Sequence, residues 1–226
     1  DTFTTRLAVD LAGDTPTVDS VSVSGNSVTI TVRLLFDDCP SAAGLAASVT
    51  AAAKKGPPPV HLWNPPFCGD IDMRIARDGT WFYLGTPIGR APLVKLFSSI
   101  LRREGDAYFL VTPVEKVGIR VDDAPLLAVD FHASGTGPTQ SLHFVTKTED
   151  EVTASAENPL RIDRDPETGE PAPYVHVRAG LWALIDRKSF YRLVDLGCHH
   201  DHQGQSWFGL WSEGCFFPVI PSVDLP

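Results

Sequence analysis

Asp70 and Asp72 stand two apart in Trp63-Asn64-Pro65-Pro66-Phe67-Cys68-Gly69-Asp70-Ile71-Asp72-Met73. On an extended chain that spacing turns both carboxylates to one side and Ile71 and Met73 to the core. Two carboxylates so placed can bind a hard cation or raise one another's pKa for acid–base work. The same residues also suit a structural role, in which their hydrogen bonds fix the entry into a strand while the prolines and Trp63 cover the sheet.

Gly85-Thr86-Pro87-Ile88-Gly89-Arg90 leads into a helix. Backbone amides at that start, with Thr86, could receive an anion, and Arg90 could clamp a carboxylate or phosphate. The glycine count and the Lys-Ser/Thr ending of a P-loop are missing. Glu115 and Lys116 follow Thr112-Pro113 and precede Val117, Ile119 and Val121, which alternate inward and leave Lys116, Arg120 and Asp122 on the opposite face. If that face lines a groove, Glu115 and Lys116 become recognition groups near Arg90, and a mixed-charge cleft suits a small polar ligand.

In Cys198-His199-His200-Asp201-His202, Cys198, His200 and His202 could face one way as zinc-type ligands, but the cluster precedes Gln203-Gly204, where a hairpin loop is expected, and ligands packed this closely seldom close a tetrahedron without a fourth from elsewhere. No metal site is assigned there. No Gly-x-Ser-x-Gly elbow is present, and Asp70 near Cys68 opposes thiol activation, so Cys68 reads as a buried or half-buried thiol. Trp207, Phe208, Trp211, Phe216 and Phe217 could stack bases, but their charged companions are Asp201 and Glu213, which favours core and partner packing.

These residues need elements to hold them. Val21 and Val23 alternate with serines, Ser24-Gly25-Asn26 supplies turn chemistry, and Val28, Ile30, Val32 and Leu34 alternate on the return, which predicts a β-hairpin. Ser41 can cap a helix over Ala42 to Lys55, and Gly56 to Pro66 reads as a stiff extended connector. Further on, the segment from Ile88 to Phe97 echoes Ile185 to Val194, 97 residues away, with an arginine before each helix and aromatic-rich strands on either side. Two copies of a strand-helix-strand plan account for this spacing.

The chain has 226 residues, 43% of them hydrophobic, enough for a sizeable core without disulfide staples. Its 19 Lys and Arg against 28 Asp and Glu give a net charge of −9, which argues against nucleic acid and against anionic membrane surfaces. No apolar run approaches the roughly 20 residues of a spanning helix. The start at Asp1, with Met73 the single methionine and no signal segment, reads as a fragment or a processed product. Cys39, Cys68, Cys198 and Cys215 lack framework spacing and read as reduced thiols of a cytoplasmic protein.

The stretches HLWNPPFCGDIDMRIARDGTWFYLGTPIGR at 61–90, YFLVTPVEKVGIRVDDAPLLAVDF at 108–131 and WFGLWSEGCFFPVIP at 207–221 are long and unusual. Through them the chain from about Ser41 to Asp224 resembles the bacterial family catalogued as domain of unknown function 1285. The resemblance implies an α+β fold of two similar units, each a curled, mostly antiparallel sheet wrapped around a helix, with a groove between them and a signalling or ligand-binding role. It supplies no assigned activity. The expected organisation is a β-rich extension over 1–40, a helix and Pro-rich connector over 41–66, a first unit over 67–134 and a second over 135–226. The expected function is a non-catalytic binding module in signal transduction, with Trp63, Asp70, Asp72, Thr86, Arg90, Glu115 and Lys116 around a small molecule or peptide and no cofactor. A metal-dependent hydrolase using Asp70 and Asp72, and a protein-interaction scaffold built on the aromatic run, are the alternatives.

Overall fold

A computed structural model describes residues 17–24, 27–33, 44, 58–164 and 169–225. The chain divides into two compact bodies, residues 1–39 and 40–226. The first contains an antiparallel hairpin of β1 (Thr17–Ser24) and β2 (Ser27–Arg33), in register from Val23 opposite Val28 to Val21 opposite Ile30. The hairpin expected from the Val/Ser alternation is therefore present. The helix expected over 42–55 lies outside the described residues except for Gly44, which is helical.

The second body is built on one strand plan used twice. In its first sheet, β3 (Phe67–Ile75) is central, β4 (Trp81–Tyr83) and β5 (Thr86–Pro87) step out to one edge, and helix α1 (Ala91–Ser99) follows. Strands β6 (Leu101–Glu104), β7 (Ala107–Val111) and β8 (Lys116–Val121) then return from the other edge, so that β8 lies parallel to β3 at the centre. The second sheet repeats this course with β9 (Leu126–Ser134), β10 (Ser141–Thr146), β11 (Glu151–Thr153), β12 (Leu160–Arg164), β13 (Pro171–Arg178) and β14 (Leu181–Ile185), with β14 parallel to β9. Helix α2 (Arg187–Val194) follows its last strand. A three-stranded antiparallel meander, β15 (Cys198–His202), β16 (Gln205–Ser212) and β17 (Cys215–Pro221), completes the chain.

Two similar α+β units, each with a curled sheet and one helix, are thus present, but the copies are aligned differently from the sequence echo. Equivalent strands begin 59 to 65 residues apart, from Phe67 and Leu126 at one limit to Lys116 and Leu181 at the other. Helix α1 occupies the crossover between the third and fourth strands, whereas α2 comes after the sixth. The 97-residue echo pairs two amphipathic helices that bury one face each, with Phe97 and Ser98 in one and Ser189, Phe190 and Leu193 in the other. Arg90 and Arg187 consequently have different settings. The seam between the sheets falls between Val121 and Leu126 rather than after 134, because β9 hydrogen-bonds to β10 and β14 and not to the first sheet.

Alternation along β3 puts Ile71, Met73 and Ile75 in the core and leaves Asp70 and Asp72 exposed. The core is continuous across both sheets: Met73, Ile75, Trp81 and Phe97 belong to the same cluster as Leu126, Phe144, Val175 and Leu181. The meander is tied on by Ser212, whose buried Oγ donates to the Ala154 carbonyl at 2.7 Å and accepts from the Leu142 N–H at 2.9 Å. Gln140 Nε2 adds a bond to the Trp211 carbonyl at 2.7 Å.

Candidate functional site between the two sheet units

The outer face of the first sheet carries Asp70, Asp72 and Arg74 from β3 and Lys116 from β8. Gly118 pairs with Asp70 across these strands, and a Cβ at 118 would overlap Asp70 Oδ1, so the carboxyl occupies space that only glycine leaves open. Arg74 is engaged by Asp122 at 2.6 Å and lies 4.6 Å from the centre of the Phe82 ring. Lys116 donates to Glu104 at 3.0 Å, and Arg102 contacts the other oxygen of the same carboxylate. That hydrogen bond from Lys116, together with Arg102, holds Glu104 below the ordinary carboxylate pKa.

The remaining expected residues lie elsewhere. Trp63 packs half-buried against the core, and its carbonyl accepts from Arg102 Nη1 at 2.6 Å. Thr86 is exposed in β5, and the residue preceding α1 is Arg90, which is exposed and makes no side-chain cap. Glu115 sits in the β7–β8 turn, where Thr112 Oγ1 accepts its N–H at 3.1 Å and partial burial pushes its carboxyl pKa up. Asp70, Asp72 and Lys116 therefore share one open face, while Arg90, Thr86, Glu115 and Trp63 do not join them. None of the seven lines a cleft between the sheet units.

Such a cleft exists, with a volume of about 610 Å³, within the size range of small-ligand sites. The first unit contributes the end of α1 with Lys95, Leu96, Ser98 and Ser99, the adjoining Leu101 and Arg102 of β6, and the Pro58–His61 approach. The second contributes Thr148, Glu149 and Asp150 from the β10–β11 turn and Arg178 and Ala179 from the β13–β14 hairpin. Ala179 and Gly180 both have positive φ, 45° and 75°, and make the two-residue turn that sets Arg178 opposite Leu181.

Arg178 links the two units. Its Nη1 pairs with Asp150 and its Nη2 donates to the Ser98 carbonyl at 2.8 Å. The Asp150 carboxylate also accepts from Thr148 at 2.8 Å and from Thr146 at 3.3 Å. Lys95 and Glu149 form a second bridge between the units. Beyond that bridge lies a hollow of about 400 Å³ near Trp81 and Ile88, which shares Pro92, Lys95, Thr148 and Glu149 with the cleft. The ion pair thus stands as a strut within one longer groove.

Ser98 Oγ and Arg102 Nε, on residues beside the cleft, are packed away from it and have no hydrogen-bond partner among the described residues. Leaving such groups unpaired costs about 1–3 kcal/mol each, more when charged. A larger hollow of about 770 Å³ beside Arg77, Glu170, Arg187 and Tyr191 offers a weaker case. Its Arg187–Glu170 pair, at 3.5 Å, has side chains 73% and 66% exposed, so water already serves those charges.

Among the described residues no group of three or more His, Cys, Asp or Glu side chains gathers around a point that could hold a metal ion. Cys198 to His202 form strand β15, the expected hairpin turn falls at Gln203-Gly204, and the histidine rings pack on aromatic neighbours. His200 lies 4.9 Å from Trp211 and 4.8 Å from Phe216, and His199 Nδ1 is 2.8 Å from Ser222 Oγ. Cys68, expected to be at least half-buried, is exposed. No helix among the described residues is long and apolar enough to cross a membrane.

No functionally curated protein matches the chain. A crystal structure of a DUF1285 family protein from Silicibacter pomeroyi DSS-3 is 65% identical, with a TM-score of 0.74, covering 80% of this chain and 97% of that one. A DUF1285 family protein from Shewanella baltica OS155 is 35% identical with a TM-score of 0.45, covering 54% of this chain and 90% of that one. The model described as "Domain of unknown function (DUF1285), N-terminal domain" matches residues 58–124. "Protein of unknown function (DUF1285), C-terminal domain" matches 125–219, so the models meet at the seam between the two sheets. The chain belongs to the DUF1285 family, both of whose domains it contains.

Proposed function

We propose that this protein is a non-catalytic binding module that holds a small molecule or short peptide in the cleft between its two sheet units, and that it serves bacterial signal transduction in the cytoplasm. The carrying observation is the cleft itself, about 610 Å³ and walled by both units, with Arg178 and Lys95 reaching from one unit to the other along it. The Arg178 and Lys95 bridges add to this, because a ligand lodged between the units acts on the contacts that join them. A hydrolase built on Asp70 and Asp72 finds less support, since two carboxylates on an open sheet face give a hard cation few ligands and no enclosure.

The test is the melting temperature of the full chain across a broad panel of metabolites and short peptides. A ligand present at 100 times its Kd stabilises by about 2.7 kcal/mol. Binding in the cleft predicts that the rise disappears in Ser99→Trp, which places an indole in the cleft, and survives in Asp72→Asn on the outer face. A rise lost in Asp72→Asn but kept in Ser99→Trp would move the site to the sheet face and refute the reading.

A further inference from the structure

The outer strand of a sheet presents a row of backbone N–H and C=O groups to any other strand, and proteins blunt such rows with short length, proline, charge or a cover. In the second body, β5 has two residues and ends in Pro87, and β11 has three. Strand β17 carries Pro218 and Pro221. Strand β12 bears Arg161, Asp163 and Arg164 and lies against β17, while β6 bears Arg102 and Arg103 and lies against the Val60–Leu62 turn. Strand β15 differs from these outer strands. It runs for five residues, Cys198-His199-His200-Asp201-His202, with no Pro, Lys or Arg, and His199, His200 and Asp201 are exposed. It pairs with β16 on one side, and among the described residues no backbone hydrogen bond reaches its other side.

These five residues are complementary to themselves. Laid against a second copy in the opposite direction and centred on His200, the strand sets His199 opposite the second copy's Asp201, Asp201 opposite its His199, and Cys198 opposite its His202. This register keeps like faces together, so the face on which His200 packs against Trp211 and Phe216 runs on into the same face of the second copy, and a slip of one residue would turn it over. His199 Nδ1 lies 2.8 Å from Ser222 Oγ. With Nδ1 accepting from that hydroxyl, Nε2 carries the proton that can be donated across the pair. The Asp201 carboxylate has no hydrogen-bond or ion-pair partner among the described residues, and a bond donated to a carboxylate is of the stronger, charge-assisted kind.

Independently of the cleft, we propose that β15 is a self-association edge: two copies pair β15 with β15 antiparallel about His200 and join their meanders into one six-stranded sheet, fastened by two His199–Asp201 hydrogen bonds. Five residues a side is far below the roughly 20–30 of a standard interface, so the pairing is weak, with a dissociation constant in the micromolar range or above.

Sedimentation velocity of the full chain between about 5 and 500 μM tests this. The expected result is a sedimentation coefficient that rises with concentration from monomer to dimer. His199→Asp sets two carboxylates against each other on both sides of the two-fold axis and should weaken the dimer at least about tenfold, whereas His199→Asp combined with Asp201→His exchanges the partners and should restore it to within about threefold. Should His199→Asp lower the melting temperature of the monomer, His202→Cys reads the register instead. With oxidised glutathione as the oxidant, the Cys198 thiol and the thiol introduced at position 202 of the second copy close a disulfide, and digestion of the covalent dimer should return a peptide linking positions 198 and 202. No concentration dependence up to about 500 μM would overturn the proposal. A dimer that His199→Asp leaves unchanged, a double variant that stays as weak as the single one, or a His202→Cys chain that yields no link between 198 and 202 would overturn it equally.

Discussion

Arg178→Met keeps most of the aliphatic stem of Arg178 and removes the guanidinium that joins the two sheet units. Asp150 then loses the cation paired with it, although Thr146 and Thr148 still donate to it, and the Ser98 carbonyl loses one donor. Truncating one partner of a fully buried pair costs about 3–5 kcal/mol, whereas an exposed pair is worth about 0.2–1 kcal/mol. The side chains of Arg178 and Asp150 are 34% and 24% exposed, so solvent screening places this pair between those limits, at about 2 kcal/mol. For a body of this size that corresponds to a fall of about 4–8 °C in melting temperature. Urea denaturation of wild type, Arg178→Met, Asp150→Asn and the double variant gives both the loss and the coupling. A coupling of about 1 kcal/mol or more is expected. A loss below about 0.5 kcal/mol with additive single variants would refute the view that Arg178 fastens the units together.

Other outcomes follow from the same structure. Ser212→Ala strands the Leu142 N–H inside the protein and frees the Ala154 carbonyl, so its urea midpoint should fall by the equivalent of about 2–3 kcal/mol. Gly209→Ala forces a Cβ against the Phe217 carbonyl and the Phe216 ring and should cost about 1–3 kcal/mol, whereas Gly118→Ala meets only the movable Asp70 carboxyl and should cost less, a ranking that thermal denaturation can check. Glu104 has a folded-state pKa below its unfolded value near 4.5, so its stabilising contribution is present above that pH and is lost as pH falls through the folded value. Glu104→Gln should therefore flatten the acid limb of a plot of denaturation midpoint against pH.

Local patterns in the chain announce local features. Alternation at Ile71, Met73 and Ile75 reports the buried face of β3, and Val21 to Val32 reports the hairpin, because a period of two is written directly into consecutive residues. The central pairings of β3 with β8 and β9 with β14 are parallel and join segments far apart in the chain, for which no short stretch carries a signal. The sequence echo lies in the helices, whose shared periodicity arises in any two helices packed on a core, while the strands that carry the duplication differ in sequence. The cap of α2 is obscured for a related reason. The arginines attract attention, yet Asp186 accepts the Ser189 N–H at 2.8 Å.

The candidate site is less legible. Asp70 and Asp72 stand out because both charges lie within three residues, but the cleft draws Ser98 and Arg178 together from 80 positions apart. Only the charged Thr148-Glu149-Asp150-Glu151 turn and the Arg178-Ala179-Gly180 hairpin end hint at its second wall. Ser98 gives no hint, since a serine near the end of an amphipathic helix looks like surface until packing buries it to 2% exposure.

Hydrogen exchange of the full chain with and without a metabolite or peptide that raises its melting temperature tests the central claim most directly. Occupation of the cleft predicts added protection in the segments around 96–102, 148–150 and 178–180, and none along 70–74 or 116–120. Protection confined to the Asp70 and Lys116 face, or none anywhere at a concentration where calorimetry records binding, would contradict it.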